Sequence, residues 1–182
     1  MMNKRQILIN TSRGEVVDGA ALKQALKNGS IKAASLDVWE NEPDIDPELL
    51  ELLFTGTPHI AGYSVDGKAT GTMMCVNALG KFFDLPCSNW EIDSAPLPAQ
   101  SLEFSIDADG KNPQKILSEA ILYSYDIMED DARLRADIHT FEKQRSTYPV
   151  RREFPVFTVK LSNDTSGRAA VFLREAGFNI TE

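Results

Sequence analysis

The chain has 182 residues, a formal net charge of −8, 42% hydrophobic and 25% charged residues, an ordinary globular composition with room for one large domain or two small ones. That charge speaks against nucleic acid or an anionic membrane surface as partner, because the summed field repels phosphate. No run approaches the roughly 20 apolar residues of a membrane span, and the two cysteines and two histidines fit neither a disulfide framework nor a zinc site, so a cytoplasmic setting without metal is expected.

Ile7-Leu8-Ile9 reads as a buried strand ending in the polar turn Asn10 to Gly14. A strand buried on both faces has neighbours, so the chain is expected to be the later part of something longer. Asp18 caps a helix whose Ala21, Leu22, Ala25 and Leu26 share one face, and Gly29 ends it. Ala33 to Val38 is a second buried strand, giving the strand-helix-strand pattern of a parallel α/β fold. Asp46-Pro47 starts a short helix, Thr57 to Ile60 is expected to be extended, and a helix through Thr72 to Phe83 closes the unit.

Pro86, Pro96 and Pro98 among Ser, Asn and Asp mark residues 86–100 as a linker between a first domain at 1–85 and a second at 101–182. In the second, Leu102, Phe104 and Ile106 alternate as a strand, Asn112-Pro113 starts a helix, and another helical stretch runs through Ile138. Pro155 to Leu161 is a further strand and Ser166 to Ala176 a last helix ended by Gly177. This is a small α+β module.

Arg13 follows the first strand, Asp37 and Glu42 the second, and His59 a later short one. In an open α/β sheet those are the ligand-facing ends. Taken singly, an arginine or carboxylate there is most often a solvated surface residue and a histidine most often structural. The repeated placement is what singles them out, and histidine is the side chain best matched to proton transfer near neutrality.

The runs INTSRGEVVD, SLDVWENEP and TPHIAGYSVDG resemble successive motifs of the D-isomer-specific 2-hydroxyacid dehydrogenases, strongly over residues 7–85. The resemblance implies a Rossmann-type NAD-binding domain, of which this is the C-terminal part, followed by a dimerisation domain, in a homodimer acting on a small phosphorylated hydroxy acid. It implies that Arg13 grips the substrate carboxylate and reacting oxygen, which suits a rigid guanidinium fork. His59 would be the acid/base, with Glu42 holding its imidazole and favouring the charged ring. Thr11, Ser12 and Arg13 would lie along the nicotinamide ribose, Asp37 would bind the carboxamide, Gly62 would let the backbone approach the cofactor, and Tyr63 would touch substrate. The G-x-G-x-x-G element that opens the family's cofactor domain is absent from this sequence. Only the nicotinamide end of NAD is therefore provided for, and poor affinity with negligible turnover is expected of the chain alone.

Two rival readings remain open. Gly62 to Lys68 fits G-x-x-x-x-G-K, but Ala69 replaces the metal-binding hydroxyl and Asp66 puts negative charge into the loop, which disfavours nucleotide hydrolysis; Lys68 near a substrate phosphate is a weaker version. The other is a non-catalytic dimerisation module carrying an inactive remnant. A different D-2-hydroxyacid dehydrogenase as parent is a further alternative.

Overall fold

The computed structural model describes residues 4–92 and 95–181. In chain order the elements are β1 (Ile7–Asn10), a 3-10 turn (Gly14–Val16), α1 (Gly19–Lys27), β2 (Ala33–Leu36), α2 (Pro47–Leu52), β3 (Thr55–Gly56) and α3 (Val65–Phe82). There follow β4 (Glu103–Asp107), α4 (Pro113–Ser124), α5 (Ile127–Ala136), α6 (Phe141–Ser146), β5 (Thr158–Ser162), α7 (Arg168–Glu175) and β6 (Asn179–Thr181). The chain is α/β throughout, with two separate parallel sheets ordered β1-β2-β3 and β4-β5-β6.

Two compact units emerge, and they interleave in sequence: residues 1–61 with 127–148, and 62–126 with 149–182. The grouping differs from the linear division expected at 86–100. α3 belongs by contact with the second unit, because Asp66 near its start pairs with Arg152 and Val65 N–H donates to Arg151 O. α5 and α6 belong with the first, where Leu134 and Phe141, both fully buried, join a core built from Leu22, Leu36, Trp39, Leu49 and Leu50. Periodicity shows that a helix has an apolar face, not which distant core it enters.

In the first unit the caps form as the sequence implies. The Asp18 carboxylate accepts from Ala21 N–H, and that of Asp46 from Glu48 and Leu49 N–H, satisfying N-terminal amides that have no partner within the helix. α5 fastens to the β3 side of the sheet. Asp131 Oδ1 accepts from Gly56 N–H at 2.7 Å, and Arg135 donates to Leu50 O and Leu53 O at the end of α2. A backbone donor of the edge strand is thereby paired.

Several local expectations are corrected. β1 is an edge strand, with Ile9 72% exposed, because among the described residues it pairs only with β2. The strand expected at Thr57 to Ile60 ends at Gly56, since His59 adopts a positive φ of 53°. α3 starts at Val65, seven residues before Thr72, because Ser64 Oγ caps Gly67 N–H and the glycines inside do not break it. β5 starts at Thr158, after a 3-10 turn at Phe154–Val156 that follows from Pro155. The second unit packs its core on Ile116, Ala120, Phe157, Val159 and Leu173.

Among the described residues no helix is long and apolar enough to cross a membrane, and no cluster is suited to a metal ion.

Candidate active site

The register places the site. Asn10 pairs with Leu36 and Leu36 with Gly56, so the three parallel strands end level and release their following segments at one edge. Thr11–Arg13, Asp37–Glu42 and Thr57–His59 all emerge there, where open α/β sheets bind ligands.

The first turn is built by buried Asn10, whose Oδ1 accepts from Ser12 N–H and whose Nδ2 donates to Arg13 O, an Asx-type closure. Thr11, Ser12 and Arg13 are exposed, and the Arg13 guanidinium donates to Ser12 O at 2.7 Å. Gly14 must be glycine, because a Cβ there would stand 2.0 Å from Trp39 O.

Glu42 and His59 meet directly. His59 Nδ1 lies 2.7 Å from Glu42 Oε2, with side chains 27% and 20% exposed respectively. The other carboxylate oxygen of Glu42 accepts from Trp39 N–H at 2.8 Å, while the buried Trp39 indole donates to Thr57 O at 2.9 Å. The two segments are thus cross-tied, and Glu42 has one oxygen fixed by backbone and one committed to the imidazole. With Glu42 ionised, Nδ1–H is the donor and Nε2 is left for substrate, the arrangement a general acid/base requires.

Asp37, 5% exposed, has a different set of neighbours. Its carboxylate accepts from the Thr57 hydroxyl at 2.7 Å, from Ile60 N–H at 2.8 Å and from Ala61 N–H at 2.9 Å, while its backbone carbonyl accepts from His59 N–H. It organises the histidine loop. A carboxylate accepts roughly four hydrogen bonds, which leaves about one position for a carboxamide donor. The residues present therefore fit the nicotinamide end of a dinucleotide, and no glycine-rich turn in the sequence fits its pyrophosphate.

Gly62 and Tyr63 fall in the second unit. Gly62 has φ +80° and open space where a side chain would be, and the Lys68 ammonium stands 3.9 Å from the Tyr63 ring centre. Gly67 and Lys68 lie inside α3, so the G-x-x-x-x-G-K match is a helix start and forms no phosphate loop. Burial pushes the Asp66 carboxyl up, but the Arg152 guanidinium and Glu153 N–H outweigh it and hold it below the ordinary range. Among the described hydrogen bonds none joins Arg13 to Glu42 or His59. Sequence reasoning missed Asn10, Trp39 and Thr57, ordinary polar and aromatic residues whose roles depend on partners up to 20 residues away.

Residues 1–61 match the family described as D-isomer specific 2-hydroxyacid dehydrogenase, NAD binding domain. The matched segment contains every candidate site residue except Gly62 and Tyr63. Residues 97–173 match a domain of unknown function, DUF3410. A protein called erythronate-4-phosphate dehydrogenase in Bacteroides thetaiotaomicron is 42% identical over 158 residues, covering 87% of this chain and 42% of that one. Its counterpart in Proteus mirabilis is 42% identical over 179 residues, covering 97% of this chain and 46% of that one. A solved NADPH-dependent glyoxylate/hydroxypyruvate reductase of Sinorhizobium meliloti is 40% identical over 44% of this chain and 26% of that one, with a TM-score of 0.38. The chain spans less than half the length of these curated relatives.

Proposed function

We propose that the chain supplies the proton-handling half of an NAD-dependent dehydrogenase that oxidises 4-phospho-D-erythronate to its 2-oxo acid, in the biosynthesis of pyridoxine and pyridoxal 5'-phosphate. The Glu42–His59 pair at the carboxyl edge of a parallel sheet carries this reading; the names and NAD-binding family of its relatives support it. The nicotinamide, when bound, supplies the hydride acceptor. His59 Nε2 takes the proton of the C2 hydroxyl, and the resulting imidazolium is balanced by Glu42. Arg13 holds the substrate carboxylate by charge-assisted hydrogen bonds. Thr11 and Ser12 line the ribose, Asp37 offers its remaining acceptor position to the carboxamide, Gly62 gives the cofactor access and Tyr63 touches substrate.

The same reading makes the chain on its own a poor NAD binder with negligible turnover, since its sequence has no glycine-rich turn to cradle the phosphates. In sequence, the stretch 86–100 separates the dehydrogenase-like part from a C-terminal dimerisation part, with one family match ending at residue 61 and the other starting at 97, although the compact units interleave across it. Exposed apolar side chains in the second unit, among them Met74, Leu79, Phe82 and Phe83, favour a homodimer. Cys75 and Cys87 are free, as suits the cytoplasm.

Calorimetric titration with 4-phospho-D-erythronate in the presence of NAD+ tests the assignment. Weak binding reduced at least about 10-fold by Arg13→Ala is expected, because a hydrogen bond to a charged group is worth about 1.5–3 kcal/mol. Equal affinity of the two proteins removes Arg13 from the site, and micromolar cofactor affinity with steady NADH formation refutes the incomplete-site reading.

A further inference from the structure

His59 is held in a conformation that side chains rarely adopt, at φ 53°, which persists only where its surroundings enforce it. Its surroundings fix that conformation from several sides. The His59 N–H donates to Asp37 O at 2.7 Å, the two following amides donate to the Asp37 carboxylate, and the ring is tied to Glu42. The remaining backbone group, the His59 carbonyl, accepts from Arg145 Nε at 3.3 Å. Among these partners Arg145 alone comes from outside residues 1–61.

Arg145 is not a loose surface side chain. It is 22% exposed, its Nη1 donates to Glu142 at 2.9 Å, and its guanidinium stands 6.0 Å from the ring centre of fully buried Phe141. Phe141 opens α6 inside the first core, so the guanidinium is carried on an anchored helix. Water would satisfy an exposed carbonyl equally well. A fixed cation at this carbonyl instead couples the rotation of the histidine peptide, and with it the direction of the imidazole, to the docking of α6.

We propose that Arg145, within the segment 97–173 that matches a domain of unknown function, is a positioning residue for His59, aiming its ring at Glu42 and its Nε2 at the substrate. This rests on His59 being the acid/base proposed above. It gives the C-terminal region a part in the chemistry besides any role in association. The charged groups around the histidine are Glu42, Asp37, Arg145 and, through Arg145, Glu142.

The test is long-range proton–nitrogen NMR of the histidine-labelled 182-residue chain, with His139→Gln leaving His59 as the single signal. The parent chain is expected to show one neutral tautomer, protonated at Nδ1. Arg145→Ala is expected to lose that single-tautomer pattern, and Arg145→Lys, which retains one donor and the charge, to regain it in part. The proposal is overturned if Arg145→Ala keeps the parent pattern or if Arg145→Lys is no better than alanine. Should the alanine variant fail to fold, the lysine variant decides alone, a retained pattern supporting the proposal and a lost one refuting it. None of these spectra depends on cofactor. Absence of any NADH-induced shift at the site up to about 10 mM, with the tautomer change intact, would fault the dehydrogenase reading, whereas an unchanged spectrum faults Arg145 whatever binds.

Discussion

Glu42 divides its carboxylate between Trp39 N–H and His59 Nδ1, so replacing it disturbs both folding and chemistry. Glu42→Ala leaves a partly buried amide without its acceptor and is expected to cost about 1–3 kcal/mol in urea unfolding. Glu42→Gln keeps an acceptor for Trp39 and should recover most of that loss while removing the negative charge beside His59. Equal destabilisation by the two would show that the Trp39 bond contributes nothing. The placement of Arg13, Glu42 and His59 after successive strands was readable from residue order, but their pairing was not. Glu42 and His59 are 17 residues apart and meet because Trp39 and Asp37 tie their two segments together. No periodic pattern encodes a left-handed histidine, and the sequence alone reads Thr57 to Ile60 as extended. Asp37 combines both lessons: its position at the strand end was visible, its three donors were not.

At the scale of elements, α5 and α6 complete the first unit from a distant part of the chain. Leu134 is fully buried in that core, so Leu134→Ala is expected to destabilise by about 2–5 kcal/mol, read as a lower urea midpoint. A cost under about 0.5 kcal/mol would mean that α5 does not pack as described. Asp66 provides a second handle, through its bonds to Arg152 and Glu153 N–H. Its folded carboxyl is held below the ordinary range, so its stabilisation is fully present above the unfolded value of about 3.9 and is lost as pH falls through the lower folded one. Urea midpoints of the parent chain should therefore fall on acidification below about pH 4 more steeply than those of Asp66→Asn; identical slopes would contradict the ion pair. Helix caps at Asp18, Asp46 and Asn112 were legible because they are local. The start of α3 was not, since Gly67 and Gly71 resemble loop residues until Ser64 is seen to cap the Gly67 N–H.

For the molecule as a whole, the fold class was legible from alternating strand and helix signals, while the interleaving of its two units was not, because core membership of residues 127–148 is a tertiary fact. The proposed homodimer predicts twice the chain mass of 20.2 kDa by light scattering after size exclusion at micromolar concentration, and a monomer would oppose it. The proposed function puts the nicotinamide end of NAD at one edge of the first sheet, with no glycine-rich turn in the sequence for the pyrophosphate. Backbone NMR mapping of an NADH titration tests it most directly. Shift changes concentrated on Thr11–Arg13, Asp37 and His59–Gly62 are predicted, saturating with a Kd on the order of 1 mM. Changes confined to other residues, or none at these up to about 10 mM, would contradict the placement of the site, and micromolar saturation would contradict the missing phosphate cradle.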